Sequence, residues 1–466
     1  MRVRRALVGA GMASFVNAGG RLDRLPICSF HRRVMWLIGI GMFFDGFDIY
    51  LGGSVVAATL KTGFSTLSQS AQFVSATFIG MMAGSCAAGF LGDKFGRRFC
   101  YRINLLIFGL ASLVAAFAPN MIVLILLRFV MGMGLGAENV VGYSTITEFV
   151  PAAKRGKWLG FVSVCVVTGL PVALLAGYLI VPHFGWRGMF VLGGIGALGV
   201  WHLRKSLPES PRWLEATGRA DEANALLAKI EKEASSTKIL PEPKLPTDKI
   251  ANIRFGDLFA PPLLARIIVG CVCLIVINTL LYGFVAWLPT FFVKEGLSIA
   301  KSFGYSLLMA LGAPLGSAIG AFTADGCGRK STIISASVLT IILGGIYPSI
   351  NDPILLPIIG FGLMIPIYVL VALLFGVYVP ELFPTEVRLR ASGICNTFGR
   401  GATIVTPFIV VAQFSAHGVA GVMAVMIGLL IIQIVVVAWL GIEPANRRLE
   451  ELAPETNERT TSSVEI

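Results

Sequence analysis

Long apolar stretches separated by short polar segments dominate the chain from residue 34 to residue 441. A helix needs about 20 mostly apolar residues to cross the hydrocarbon core of a bilayer. Twelve stretches meet that length. We therefore predict an all-α integral membrane protein with twelve spans, at 34–58, 72–92, 99–118, 120–145, 157–180, 187–203, 266–292, 302–323, 331–348, 354–378, 391–414 and 419–441.

The longest polar gap divides these spans into two sets of six. Its amphipathic part, residues 209–235, is predicted to form a helix on the surface of the bundles. Five segments result: an N-terminal tail 1–33, a six-helix bundle 34–203, the central loop 204–265, a second six-helix bundle 266–441 and a tail 442–466.

Composition supports a membrane protein and argues against a soluble enzyme. Hydrophobic residues make up 55% of the chain and charged residues 14%, with a mean hydropathy of +0.79. A soluble domain carries about 25% charged residues, so this chain has too little polar surface to cover a water-facing globule. The sequence has no P-loop, no H-E-x-x-H and no nucleophile elbow. We expect neither enzyme activity nor a metal or cofactor.

The basic residues predict the orientation of the chain. With both termini in the cytoplasm, 32 of the 38 Lys and Arg residues fall in cytoplasmic segments or at the cytoplasmic ends of spans, and four fall in external loops or at the external end of a span. Such an excess is typical of the cytoplasmic side of a membrane, and we expect a plasma membrane, the inner membrane of a bacterium. It also accounts for the net charge of +12 without a nucleic-acid partner. Whether translation starts at Met1 or Met12 stays open.

The two halves repeat small and charged residues at nearly constant offsets. Residues of the second span and the following loop recur 232 positions later, and the end of the fourth span recurs 233 positions later. Such a repeat indicates a duplicated six-helix unit, one of the plans of secondary transporters. The pairs are Gly80, Gly84, Asp93, Gly96 and Arg97 with Gly312, Gly316, Asp325, Gly328 and Arg329, and Glu148, Pro151 and Arg155 with Glu381, Pro384 and Arg388.

Through these repeated residues and the motifs given at the end of this paragraph, the chain resembles the major facilitator superfamily over essentially its whole length. The resemblance implies two pseudo-symmetric six-helix bundles that work by alternating access. The motifs at 208–214 and 380–385 are similar to those of sugar porters, and residues 45–48 are similar to the first helix of aromatic acid/proton symporters. The motifs are the loop Gly89-x-x-x-Asp93-Lys94-x-Gly96-Arg97-Arg98, the fourth-span Arg128-x-x-x-Gly132-x-Gly134, Pro208-Glu209-Ser210-Pro211-Arg212-Trp213-Leu214 and Pro380-Glu381-Leu382-Phe383-Pro384-Thr385.

Two acids in the first span are the leading proton-coupling candidates. Asp45 and Asp48 are three residues apart and therefore share a helix face. Desolvation raises the pKa of a carboxyl group and a nearby cation lowers it, so surroundings that alternate could load and release a proton. The resemblance makes Arg128 that cation. A structural ion pair is the alternative reading, and we expect Asp45 to be the more buried acid.

Four further polar residues inside spans are coupling or substrate candidates. Glu138 lies deeper in the fourth span and is a second coupling candidate. Arg400, between two glycines, could bind a substrate carboxylate or extend to the membrane surface. Asn278 and Tyr282, which share a helix face, loosely resemble sugar-porter ligand positions and are candidate uncharged contacts.

Charged residues at the predicted cytoplasmic ends of the spans suggest a gate. Opposite charges there could lock the inner face, so that opening requires their separation. The alternative is a topology signal alone. The candidate gate residues are Asp93, Arg97, Arg98, Glu148, Arg155 and Glu209 in the first half, and Asp325, Arg329, Glu381 and Arg388 in the second.

We therefore expect a monomeric, proton-coupled symporter that imports a small organic solute. An organic or aromatic acid is preferred, because paired acids with buried arginines suit an anion that moves with protons. A sugar porter, an efflux transporter and a nutrient sensor on a transporter scaffold are the alternatives. Substrate and lipid bilayer are the expected partners.

Overall fold

Within the described part of the chain, all regular secondary structure is helical. The computed structural model describes residues 16–151, 154–235, 240–243, 259–326, 328–383 and 387–443. The main helices are α1 Ala18–Asp23, α2 Ser29–Lys61, α3 Leu67–Phe95, α4 Arg97–Ala115, α5 Met121–Phe149, α6 Arg155–Leu203, α7 Pro211–Ala216, α8 Ala220–Ser235, α9 Pro261–Gly283, α10 Leu288–Lys294, α11 Ile299–Ala310, α12 Gly312–Gly326, α13 Arg329–Ile346, α14 Leu355–Leu373 and α15 Arg388–Leu440.

Ten helical stretches of the described residues are long and apolar enough to cross a membrane. Two of them, α6 and α15, are about twice the usual length and turn at Gly185 and Gly418. Those glycines have φ of 67° and 62°, which side chains rarely adopt, so each is the turn between two crossings. The architecture therefore agrees with the predicted twelve spans.

Two predicted elements are interrupted. The span predicted at 302–323 is interrupted between α11 and α12. Pro314 has no N–H to donate to the carbonyl oxygen of Ala310, and the proline ring would clash with that carbonyl in a continuous helix. The amphipathic helix predicted at 209–235 divides into α7 and α8 around Gly218, which has φ of 78°.

The described residues form two compact units. The first comprises residues up to 243 with residues 286–307, and the second comprises residues 259–285 and 308–443. Inside the first unit, α10 contacts α2, and just before α10 the carbonyl oxygen of Ala286 lies so close to α2 that a Cβ on Gly53 would overlap it. In the same unit, α3 and α5 approach closely through small residues, as helices do in membranes. These residues are Gly80, Gly84, Gly132 and Gly136.

The N-terminal segment, residues 16–24, is held against α7 and α8 by hydrogen bonds and ion pairs. Glu215 accepts hydrogen bonds from the N–H groups of Val16, Asn17 and Ala18, at 2.7–3.1 Å. Glu231 pairs with Arg21 at 2.7 Å and with Arg24 at 2.6 Å. The hydrogen bond from Arg21, joined by that from Arg24, lowers the pKa of Glu231. The segment before the first span is thus part of the first unit.

The docking of this segment is expected to weaken at acid pH. A depressed pKa in the folded state stabilises the contact above the ordinary pKa of a glutamate, and this contribution is lost as the pH falls through the lowered pKa. Ion pairs that water reaches contribute about 0.2–1 kcal/mol. We expect Glu231→Gln to lower the hydrogen-exchange protection of residues 16–24 at neutral pH by about two- to fivefold, and to remove its pH dependence. Glu222→Gln on α8, which breaks an exposed pair with Arg219 just before that helix, is the control and should change neither the protection nor its pH dependence.

Candidate functional site

A buried ion pair joins α2 to α5 in the first unit. Arg128 Nη1 donates to Asp48 Oδ2 at 2.6 Å, and both side chains are almost fully shielded from solvent. Arg128 also donates to the Asp48 carbonyl oxygen and to Thr77 Oγ1, each at 2.9 Å, and stacks over the ring of Phe73. Three contacts therefore hold the guanidinium in place besides the carboxylate.

Only one of the two carboxylate oxygens of Asp48 has a hydrogen-bond partner among the described residues. Its Oδ2 receives Arg128, whereas its buried Oδ1 has no hydrogen-bond partner among the described residues. Asp45, one turn earlier, is also buried, and Asn139 Nδ2 on α5 lies 3.4 Å from its Oδ2. Asp48 is 0% exposed and Asp45 is 2% exposed, so the expectation that Asp45 is the more buried was wrong. Asp48 is the acid that contacts the cation.

Glu138 has a buried partner that the sequence interpretation missed. Its carboxylate pairs with Arg204, which follows the last span of the first bundle, and both side chains are about 1% exposed. Arg204 also donates to the carbonyl oxygens of Leu37 and Ile38 on α2 and stacks over Tyr101 of α4. A side chain at Gly41 would overlap this guanidinium. The ion pair therefore joins four elements of the first bundle.

The substrate candidates of the second unit lie on α9 and α15. Asn278 is 2% exposed and donates through Nδ2 to the carbonyl oxygen of Leu274 at 2.7 Å, while its Oδ1 has no partner among the described residues. Gly399 lies directly against Asn278. The next residue, Arg400, has a buried Nη1 that no described residue accepts. Tyr282, one turn beyond Asn278, is buried.

Charged gate candidates converge at the end of the first bundle that carries the loop motif, here called the motif end. Arg97 on α4 pairs with Glu148 at 2.9 Å and with Asp93 at 3.3 Å. Glu209 accepts the backbone N–H groups of Arg97 and Arg98, so its carboxylate caps the start of α4. The side chain of Arg98 is exposed.

An acid of the N-terminal segment extends this network. Asp23 on α1 pairs with Arg212 of α7 at 3.0 Å and with Arg155 at the start of α6 at 3.3 Å. Arg212 also donates to the Glu148 carbonyl oxygen. The sequence gives no repeat or motif that singles out Asp23, since it lies before the duplicated unit.

The second unit repeats the same arrangement. Arg329 pairs with Glu381 at 3.2 Å, as Arg97 pairs with Glu148. Glu443 accepts the N–H groups of Arg329 and Lys330 at 2.9 Å each, as Glu209 does at α4. The sequence interpretation missed Glu443, although it lies 234 residues after Glu209 and the repeat could have identified it. The side chains of Asp325 and Arg388 lie outside the described residues.

Known proteins similar to this chain are transporters. The model of the "Sugar (and other) transporter" family matches residues 34–455. The inner membrane metabolite transport protein YdjE of Escherichia coli K12 is 37% identical over 95% of this chain and 99% of its own length. The niacin transporter NiaP of Acinetobacter baylyi is 31% identical over 93% of this chain and 98% of its own length.

Solved structures share the fold. The xylose transporter XylE of E. coli, in a partially occluded inward open conformation, has a TM-score of 0.70 at 18% identity, over 89% of this chain and 98% of XylE. A D-xylose–proton symporter structure has a TM-score of 0.68 at the same identity, over 89% of this chain and 99% of that protein. At this identity the likeness concerns the fold alone.

Proposed function

The chain belongs to the sugar (and other) transporter family of the major facilitator superfamily, and we propose that it is a proton-coupled symporter that imports a small organic acid. Family membership makes it a multi-pass membrane transporter and not an enzyme. The observation that carries the coupling proposal is the buried pair of Asp48 and Arg128, in which one carboxylate oxygen of Asp48 has no hydrogen-bond partner among the residues that the structure describes.

The geometry of that pair suits reversible protonation. An acid inside a span is costly unless it is paired, and such acids are commonly functional. Arg128 keeps Thr77, the Asp48 carbonyl oxygen and the Phe73 ring as contacts when Asp48 takes up a proton. Neutral Asp48 would weaken one link between α2 and α5 without leaving the cation unsupported. Protonation and conformation would thereby be linked, and such linkage is reciprocal.

The second unit supports an acidic substrate. Arg400 Nη1 is a buried donor without an acceptor among the described residues, and a guanidinium suits a carboxylate in particular. Among the relatives, one that is 31% identical is named for niacin, an aromatic carboxylic acid. A sugar has no carboxylate to pair with Arg400. We therefore place the aromatic or other small organic acid ahead of the sugar.

The charges at the motif end of the first bundle, and their counterparts in the second unit, are proposed to control opening of the inner face. Each unit has its own arginine–glutamate pair and its own glutamate that caps the following helix. The same arrangement in both halves fits a mechanical role in the cycle better than chance surface pairing. We place this end and both termini in the cytoplasm, because the Lys and Arg residues concentrate there.

Arg400→Gln is expected to weaken the binding of aromatic acids about 10- to 100-fold. A hydrogen bond to a charged group contributes about 1.5–3 kcal/mol, and glutamine keeps a donor but loses the charge. The measurement is the thermal shift of purified protein against benzoate, hydroxybenzoates, nicotinate and pentoses. Arg102→Gln, at an exposed arginine of α4, is the control. Equal binding by Arg400→Gln and wild type, or a shift with pentoses only, would overturn the acid assignment.

A further inference from the structure

We propose that Asp23, in the N-terminal segment, is a positioning residue of the inner gate formed by the charges at the motif end. It holds two arginines against the end of α5 and thereby presents Glu148 to Arg97. This inference rests on the gating role proposed above. It goes beyond that role, because the gate residues assigned so far belong to the two bundles and the motifs that follow their spans, whereas Asp23 lies before the first span.

A single carboxylate oxygen of Asp23 bridges two arginines from different helices. Its Oδ1 accepts Arg212 Nη2 of α7 at 3.0 Å and Arg155 Nη2 at the start of α6 at 3.3 Å. Because both nitrogens lie so near the same oxygen, the two positive charges are neighbours. Like charges at such a distance repel each other, and the carboxylate offsets that repulsion. The anion therefore favours the arrangement in which the two arginines stay together.

The same two arginines hold the end of α5. Arg212 Nε donates to the carbonyl oxygen of Glu148, and Arg155 Nε donates to that of Val150, each at 3.1 Å. The last carbonyl groups of a helix have no partner within the helix, and a positive charge there is stabilising. Each arginine uses one nitrogen for Asp23 and another for α5. The three side chains thus form a bridge from the N-terminal segment to the helix end.

The bridge ends on a residue of the gate. The side chain of Glu148 accepts Arg97 Nε of α4 at 2.9 Å, while its backbone carbonyl oxygen accepts Arg212. Asp23 therefore acts on the Arg97–Glu148 pair through the backbone of α5. Loss of its charge lets the helix end shift and weakens that pair, which favours the state in which the inner face is open.

Docking of the N-terminal segment can be separated from positioning of the gate. Leu22 and Leu25 anchor the segment in a hydrophobic core, and Glu231 on α8 holds it by ion pairs. Asp23→Asn keeps an acceptor oxygen and removes only the charge, so the segment should stay docked. Glu231→Gln loosens the segment and removes none of the contacts of Asp23, so it is the matched control.

The first test is a double-mutant cycle on substrate exchange. Counterflow of labelled hydroxybenzoate is measured in proteoliposomes for wild type, Asp23→Asn, Arg97→Gln and the double variant, and binding is measured by calorimetry. We expect Asp23→Asn to slow exchange about three- to tenfold with unchanged binding, because the inner face closes less readily. The double variant should be no slower than Arg97→Gln alone, since both changes act on one pair. Asp23→Glu should restore part of the rate.

Three results of this cycle would overturn the positioning role and leave acid transport intact. They are wild-type exchange by Asp23→Asn, effects that multiply in the double variant, and equal slowing by Glu231→Gln.

The second test needs no substrate. Hydrogen exchange of the purified protein should show reduced protection of residues 144–149 in Asp23→Asn, and reduced protection of residues 16–24 alone in Glu231→Gln. Unchanged protection of residues 144–149 in Asp23→Asn, or the same loss there in Glu231→Gln, would contradict the positioning role. If hydroxybenzoate neither binds nor exchanges in the wild type, the proposed substrate is wrong, and this measurement still decides the role of Asp23.

Discussion

Asp48→Asn is expected to reduce proton-driven accumulation of substrate to the level of liposomes without protein, while exchange of substrate across the membrane persists. Asparagine keeps the shape of the side chain and an oxygen for Arg128, which lies 2.6 Å from Asp48 Oδ2. It cannot titrate, so the step that couples the proton to the cycle is lost. Counterflow and pH-jump uptake in proteoliposomes measure the two activities separately.

Two variants make this result interpretable. Asp221→Asn removes an exposed acid at the start of α8 and should leave accumulation unchanged. Asp45→Asn tests the neighbouring acid, whose side chain lies near Asn139. Full accumulation by Asp48→Asn together with its loss in Asp45→Asn would place the proton one turn earlier on α2.

Arg204→Met is expected to destabilise the first bundle by about 3–5 kcal/mol, the usual cost of removing one partner of a buried ion pair. The substitution leaves Glu138 as an unpaired acid that is about 1% exposed. It also removes the donors to Leu37 and Ile38. Thermal or denaturant unfolding of the purified protein measures the loss.

The double variant Glu138→Gln with Arg204→Met separates charge from packing. If an uncompensated charge causes the instability, the neutral double variant should recover part of the lost stability. A single variant as stable as wild type, or no recovery in the double variant, would contradict the assigned role of the pair.

Proton-driven accumulation by Glu138→Gln would show that Glu138 is not needed for coupling.

The fold followed from the sequence because its determinants are local or repeated. The length of each apolar stretch sets a span, and the duplicated motifs set the two halves. Even the paired turns at Gly185 and Gly418 lie 233 residues apart, at the offset of the repeat. The breaks at Pro314 and Gly218 were missed, because a hydropathy window averages over the single residue that interrupts a helix.

Partners of the charged residues could not be predicted in the same way. Asp45 and Asp48 share a helix face, so their spacing gives no reason to prefer either as the contact of Arg128. Arg204 was counted among loop charges because it follows the sixth span by one residue, whereas it turns back into the bundle and pairs with Glu138. Such pairings depend on how helices rotate against each other, and spacing along one chain does not encode that.

The most direct test of the account is proton-driven accumulation by the wild-type protein. Purified protein is reconstituted into liposomes, and an inward proton gradient is imposed without a substrate gradient. Labelled hydroxybenzoate is then followed, and protein-free liposomes provide the correction for passive entry of the undissociated acid. We predict accumulation above the external concentration that exceeds this control and disappears with a protonophore or with Asp48→Asn. Specific binding without transport would indicate a sensor, and uptake that only equilibrates, unaffected by the protonophore, would contradict proton coupling.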